Sequence, residues 1–196
     1  MMSWFHGSAG AGDDRAVASA AEIVACFWNQ RSILHRLAFL ITADQSTAER
    51  AVSRACEISL QGSSPFRNWL LEWAKAVTIN AAITLDGDAI RMCEVAYKDR
   101  NCPHVEHLSE DNNERREANL GLLIRMDART FFTELDALCR AILVLRIALR
   151  SSIQDCSLRL NVSRPAVVVA SCHAMTWLDH SRVMPAHAED NISRRF

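Results

Sequence analysis

Cysteine and histidine residues are the first candidates for chemistry in this sequence. The run Cys102-Pro-His104, followed by His107 and preceded by Cys93, has the thiolate and imidazole groups that zinc prefers. Structural zinc sites usually present paired ligands at short spacing in two halves, and this run has no second pair. Cys172 and His173 are consecutive, so on a helix their side chains point about 100° apart, which disfavours a nucleophile–base pair. We therefore predict neither a metal site nor a catalytic cysteine.

Other signs of enzymatic chemistry are missing from the sequence. It has no Gly-rich phosphate loop, Ser-centred elbow or paired-carboxylate motif, so we predict no enzymatic activity and no cofactor. Seven cysteines, an odd number without a CxxC pair, favour buried reduced thiols over a disulfide framework. With no basic, apolar leader and no apolar stretch of about 18 residues, we expect a cytoplasmic protein.

The apolar residues recur at the 3.6-residue period of helices, and no alternation typical of strands is present. A helical region is predicted from Arg15 to about Ile41. The run Ser46-Thr-Ala-Glu49 predicts a capping box for a helix that ends near Leu60, and Ser64-Pro65 begins the next helix, which ends at Asp86-Gly-Asp88. The predicted fold is all-α, with two small helical bundles joined by a polar linker: residues 15–85, a linker at 86–121, a second bundle at 122–180 and a tail at 181–196.

The second bundle carries a pattern of helix, short turn and helix. One helix is predicted from Ile153 to Leu160, and Asn161-Val-Ser163 forms the turn after it. Asparagine tolerates the left-handed backbone that such a turn needs, serine is a good N-cap, and Pro165 is allowed in the first turn of the next helix. This spacing predicts a helix-turn-helix.

Two segments resemble bacterial RNA polymerase sigma factors of the extracytoplasmic-function type. Leu160-Asn-Val-Ser-Arg-Pro-Ala-Val167 resembles their C-terminal helix-turn-helix, which binds the −35 promoter element. Leu34-His-Arg-Leu-Ala-Phe-Leu-Ile-Thr-Ala-Asp44, Ala48-Glu-Arg-Ala-Val52 and Trp69-Leu70 are similar to the region that binds core polymerase and the −10 element. The resemblance implies a transcription initiation protein whose partners are core RNA polymerase, promoter DNA and an anti-sigma or other regulatory protein.

The same resemblance assigns contact residues by position. It implies polymerase contacts at Glu49, Arg50, Val52 and Ser53. It implies DNA contacts at Lys75, Arg150, Arg159, Ser163, Arg164, Ala166, Val167, Ala170 and His173.

The departures from the family concern those contact residues. The recognition helix of the family carries several Lys and Arg residues, whereas Val167 to Trp177 carries none. Arg50 and Ser53 stand where the family's polymerase-binding signature has Asp and Gln. The net charge of −1 also argues against tight non-specific DNA binding. Two interpretations stay open: an initiation factor that reads promoter DNA, and a degenerate sigma-fold protein-interaction module that does not.

Tryptophan placement leaves a second alternative open. Trp69 and Trp73 stand four residues apart on one predicted helical face. We expect them in the core of a bundle, and the alternative is a groove that binds a partner. Three successive valines, Val167 to Val169, span more than half of a helix's circumference, so a partner or the other bundle must cover whatever part faces outward.

Overall fold

The computed structural model describes residues 16–97, 100 and 113–183, and over these ranges the chain is helical and without strands. The all-α prediction is therefore confirmed. Two short 3₁₀ turns lie at Arg67–Trp69 and Glu94–Tyr97. The described helices are α1 Ala20–Asn29, α2 Arg31–Thr42, α3 Gln45–Gln61, α4 Leu70–Cys93, α5 Asn113–Arg125, α6 Ala128–Glu134, α7 Ala137–Ala148, α8 Ile153–Leu160 and α9 Arg164–Val183.

The helix starts differ from the predicted ones where another residue makes a better cap. The capping box expected at Ser46 is wrong: α3 begins at Gln45, and the Asp44 carboxylate accepts a hydrogen bond of 2.7 Å from the backbone N–H of Thr47. Left-handed backbone at Ala43 (φ 54°) ends α2 just before this cap. An aspartate at the N-cap also interacts favourably with the positive end of the helix dipole, so it prevails over the serine two residues later.

Helix α4 begins later and ends later than predicted. The segment before it is held extended, because Ala18 N–H donates to the Pro65 carbonyl (2.8 Å) and Arg67 N–H to that of Ala16 (3.0 Å). The helix then continues past Gly87 to Cys93. A glycine inside a helix costs about 1 kcal/mol, but Ile90 is completely buried, and packing of this last part against the core outweighs that cost.

Helix α7 is the centre of the molecule. All twelve of its residues are buried, and it contacts α2 and α4 on one side and α9 on another. A helix that is buried all round must be covered on every face, and α8 and α9 cover only part of α7. The predicted arrangement as two separate bundles is accordingly not confirmed, since α7 joins both halves in one continuous core. The predicted linker begins inside α4 and ends inside α5.

A buried arginine ties the two halves together. Arg140 of α7 donates to the backbone carbonyl of Leu135 (2.9 Å) and to that of Ile41 at the end of α2 (3.3 Å). Its guanidinium also lies 5.4 Å from the centre of the Phe132 ring. Burial lowers the pKa of Arg140 and raises that of the nearby Asp86 carboxyl. These bonds fix α7 against the C-terminal end of α2.

None of the described helices combines the length and apolar character that crossing a bilayer requires. Residues 1–15, the middle of the predicted linker (98, 99 and 101–112) and most of the predicted tail lie outside the described residues.

We expect Ile142→Ala, at the fully buried centre of α7, to lower the free energy of unfolding by about 2–5 kcal/mol, because the cavity opens between both halves. Urea unfolding followed by circular dichroism and by tryptophan fluorescence measures this change. The control Leu158→Ala removes a side chain that is 70% exposed, and it should change stability by no more than about 0.5 kcal/mol. Two separate unfolding midpoints for the two probes would contradict a single core.

Candidate functional site

Helices α8 and α9 meet at the predicted turn. The Ser152 hydroxyl and the Asp155 carboxylate form a capping box that starts α8, and Asn161 ends it with left-handed backbone (φ 52°, ψ 49°). The Ser157 hydroxyl donates a 2.7 Å hydrogen bond to the carbonyl of Val162 inside the turn. Two helices separated by a left-handed asparagine are thus present as the sequence predicted. That this pair serves as a DNA-binding helix-turn-helix stays a prediction.

Three of the predicted DNA contacts lie in the core. Ala166, Val167 and Ala170 have no exposed surface, because this face of α9 packs against α7 and the Glu94–Tyr97 turn. The prediction that they contact DNA is therefore corrected: as placed, their side chains cannot reach a groove. The sequence contained a signal for this, since they share with Ala174 and Leu178 the 3.6-residue stripe of a packed helix face.

Lysine 75 does not offer a free charge either. Its side chain is only 10% exposed, and its Nζ lies 2.7 Å from a Glu72 carboxylate oxygen. Glu72 is one turn back on the same helix, so the pair neutralises the one basic side chain that the resemblance placed in the −10-binding region. A DNA contact by Lys75 is inconsistent with this placement.

The remaining predicted DNA contacts are at the surface. Arg150, Arg159 and Arg164 are exposed, and Arg159 donates to the side-chain oxygen of Asn80 on α4 (2.7 Å). His173 is exposed, with its Nδ1 3.5 Å from the Cys139 sulfur. From Glu134 to Asp179 the chain has five arginines, two of which, Arg140 and Arg146, are buried in α7. Three arginines are left at the surface of a segment with four carboxylates.

A carboxylate lies at the N-terminus of α9. The backbone N–H of Ser163 donates to Oε1 of Glu94, at 3.0 Å. A helix N-terminus attracts anions, and in DNA-binding proteins this position suits a backbone phosphate. Here Glu94 already supplies the anion. Ser163, the last predicted DNA contact, therefore donates its amide to this protein's own side chain.

The predicted polymerase contacts lie on the outer surface of α3. Glu49, Arg50 and Ser53 are exposed and Val52 is half-buried. Glu49, Val52 and Ser53 line a groove of about 800 Å³ between α2 and α3, the α2–α3 groove, together with Arg31, His35 and Arg36. Arg50 instead lines a groove of about 540 Å³ between α3 and α4, the α3–α4 groove. The structure thus brings three of the four predicted residues together and separates the fourth.

The tryptophans also differ from expectation. Trp69 is 64% exposed and Trp73 is 36% exposed, so the expected core position is wrong for both. Trp73 lines the α3–α4 groove, which is the alternative that the sequence left open. The edge of the Trp69 ring contacts Phe66 on the extended segment before α4, at a centroid distance of 6.1 Å.

A buried polar cluster holds the Glu94–Tyr97 turn onto α7, and no sequence pattern indicated it. The Tyr97 hydroxyl donates to Oδ2 of Asp136 (2.6 Å) and lies 3.0 Å from the sulfur of Cys139. Asp136 caps α7 by accepting from the Cys139 backbone N–H (2.9 Å). Burial and the carboxylate of Asp136 raise the pKa of the Cys139 thiol to about 12, and burial raises that of Tyr97. The cluster fixes helix positions, and its thiol is poorly suited to nucleophilic chemistry.

The other cysteines partly agree with the predicted chemistry. Cys26, Cys56, Cys93, Cys139 and Cys156 are free, whereas Cys172 is disulfide-bonded, so the expectation of reduced thiols fails there. Among the described residues, no group of three or more His, Cys, Asp or Glu side chains could hold a metal ion. The candidate zinc run around Cys102 lies outside those residues.

Comparison of the chain with protein-family models, curated proteins and solved structures finds no match in any of the three. The assignment of function therefore depends on the residues and their geometry.

We expect Asn161→Ala to lower the free energy of unfolding by roughly 1 kcal/mol, because alanine disfavours left-handed backbone. Asn161→Gly is the matched control and should be neutral or slightly stabilising, since glycine accepts this conformation freely. Thermal unfolding of both variants measures the difference. Equal losses for alanine and glycine would show that the asparagine side chain, rather than its backbone, holds the turn.

We expect Cys139 and Cys156 to resist alkylation by iodoacetamide at about pH 8 in the folded protein. Burial raises both pKa values to about 12, so roughly one thiol in ten thousand is ionised. Half-buried Cys26 and Cys56 should react first. Mass spectrometry of the digested protein locates the labels, and labelling in urea is the control in which all free thiols react. Fast labelling of Cys139 in the folded state would contradict its placement.

Proposed function

We propose that this protein is a sigma-like protein-interaction module that binds core RNA polymerase without reading promoter DNA. The polymerase is the partner that the sequence resemblance implies. The observation that supports the second part is the placement of α9. Three of its predicted DNA contacts, Ala166, Val167 and Ala170, are inside the core, and the outer face of the helix has little positive charge.

The outer face of α9 lacks the side chains that DNA reading uses. From Pro165 to Ser181 there is no Lys or Arg, and the exposed positions include His173, Thr176 and His180. Val168 and Val169 are half-buried, and such side chains neither neutralise phosphate nor pair with base edges in the way arginine does. Two imidazoles and one hydroxyl give a weak basis for sequence readout.

The N-terminus of α9 also disfavours DNA binding. Glu94 places a negative charge where a DNA phosphate would approach, so binding there carries repulsion as well as the loss of the bond to Ser163. No described side chain blocks the α2–α3 groove, where polymerase is proposed to bind. Glu49, Val52 and Ser53 line an open groove that no described part of the chain fills.

A second candidate, a sigma-type initiation factor that reads DNA, is favoured by one observation. Arg150, Arg159 and Arg164 are all exposed on the segment that contains α8, the turn and the start of α9. In this second candidate, Glu94 blocks the N-terminus of α9 until its bond to Ser163 breaks and a DNA phosphate takes its place. The two candidates therefore differ in what happens when the Glu94 charge is removed.

Capture of core polymerase tests the first part of the proposal. The full-length chain, immobilised by an affinity tag, should retain purified core polymerase, and Glu49→Arg should weaken retention about tenfold because it reverses a charge in the α2–α3 groove. The control Asp88→Arg makes the same charge change at an exposed position on α4 and should have no effect. Absence of retention by the unaltered chain would remove the polymerase from the proposal.

Mobility shifts of promoter fragments at low salt test the second part. We expect no shifted complex with the unaltered chain and none with Glu94→Gln, which removes the charge at the α9 N-terminus. Asp88→Asn is the matched control for the lost carboxylate. A shift by the unaltered chain, or one that appears only in Glu94→Gln and is lost on adding Arg164→Ala, would favour the initiation factor.

A further inference from the structure

The α3–α4 groove combines an apolar floor with a basic border. Ile58, Trp73 and Leu85 line it and are 39%, 36% and 42% exposed, so large apolar side chains lie open at its surface. Val77 and Ala81 complete the floor. Exposed apolar side chains gathered in one concave site, rather than scattered singly, mark a surface for a partner.

The border of the groove is formed by arginines. Arg50 and Arg54 line it from α3, and Arg159 of α8 is bonded to Asn80, another lining residue. None of the described residues that line the groove is an aspartate or glutamate. Arg54 pairs with Glu57 at 3.3 Å, but both side chains are about 60% exposed, and pairs of this kind contribute little and exchange readily.

The dimensions fit a helix. On α3 the lining residues Arg50, Arg54 and Ile58 follow each other at four-residue steps over about 12 Å. On α4 they extend from Trp73 to Leu85, over about 18 Å. A helix of about three turns matches this length, and laying its apolar stripe between two helices is a common mode of peptide recognition.

We propose that the α3–α4 groove binds an amphipathic helix of another protein whose apolar stripe is flanked by acidic residues. The stripe covers Ile58, Val77 and Trp73, with the indole as the main anchor, and the flanking carboxylates pair with Arg50, Arg54 and Arg159. This deepens the proposed function, because it names the chemistry of a protein partner, and it rests on that function only in taking the chain to be an interaction module.

Charge complementarity decides the sign of the charge that the partner helix carries. A helix flanked by lysines brings like charges against three guanidinium groups, which costs binding energy at each contact. An acidic helix gains charge-assisted hydrogen bonds at the same positions. The apolar stripe alone does not discriminate the two.

Synthetic peptides test the proposal on the full-length chain. The probe is a helical peptide of about 12 residues with a leucine and phenylalanine stripe flanked by glutamates. One control peptide has lysines in place of the glutamates, and a second has the acidic composition with its apolar residues scattered around the helix. We expect the acidic amphipathic peptide to bind at least about tenfold more tightly than either control by fluorescence anisotropy, and to shift the amide NMR signals of residues 50–58 and 73–85.

Two variants in the groove and one control variant locate the binding. Arg54→Glu should weaken binding of the acidic peptide about tenfold and relax the preference over the lysine peptide. Arg125→Glu reverses an exposed charge on α5, which contacts α2 and α7, and should leave binding unchanged. Trp73→Ala should also weaken binding, and an unchanged circular dichroism spectrum shows that the fold is intact.

Several results would overturn the proposal that the α3–α4 groove binds an acidic amphipathic helix. These are equal binding of the acidic and lysine peptides, no binding of either, equal effects of Arg54→Glu and Arg125→Glu, or a dimer of the chain that Arg54→Glu dissociates. The last result assigns the groove to a second copy. Polymerase capture is measured on the same Arg54→Glu protein: retained capture without selective peptide binding overturns only the groove, and selective peptide binding without any capture overturns only the polymerase assignment.

Discussion

Complete burial of α7 is the constraint on which the rest of the structure depends. Twelve consecutive residues without an exposed side chain require cover on all sides, and the helices that follow α7 in the chain provide it only in part. Helices α2, α4 and α5 also contact α7, so the two halves of the sequence share one core. One of the two arginines inside α7 adds polar contacts to this arrangement. The guanidinium of Arg140 needs acceptors where it lies, and the carbonyls of Leu135 and Ile41 supply them.

The same constraint determines which face of α9 is available to a partner. Covering α7 uses the stripe of Ala166, Val167, Ala170 and Ala174, so three of the predicted DNA contacts on α9 lie on the face that the core requires. The hydrogen bonds of Tyr97 to Asp136 and of Ser163 to Glu94 hold the Glu94–Tyr97 turn against α7 and α9. Together these contacts cover the inner face of α9 and place an anion at its start. Exposure of α9 to DNA is therefore coupled to the packing of the whole molecule.

Local features of the fold were accessible from the sequence, and the long-range ones were not. Helical periodicity and the left-handed Asn161 depend on residues a few positions apart, and both predictions are confirmed. The apolar run of α7 showed that it is buried, but periodicity does not say which helices cover it. Likewise, Gly87 looked like a helix end because its intrinsic preference is weak, and only the burial of Ile90 overrides that preference. In the site, exposed Glu49 and Arg164 were predictable from their polarity, whereas the contact of Glu94 with Ser163 joins residues 69 positions apart.

The surfaces beside α3 follow from a different property of the sequence. Its buried face consists of small residues, Ala48, Ala51, Ala55 and Ser59, which allow α2 and α4 to approach closely. Long side chains such as Arg50 and Arg54 lie at the edge of that face, and they border the groove instead of filling it. The apolar floor is thereby left open although the core below it is complete. The α2–α3 groove does not involve α9, because its lining residues belong to α2 and α3. A partner that binds beside α3 can therefore act whether or not α9 ever reaches DNA, which is why the interaction role is the more general of the two.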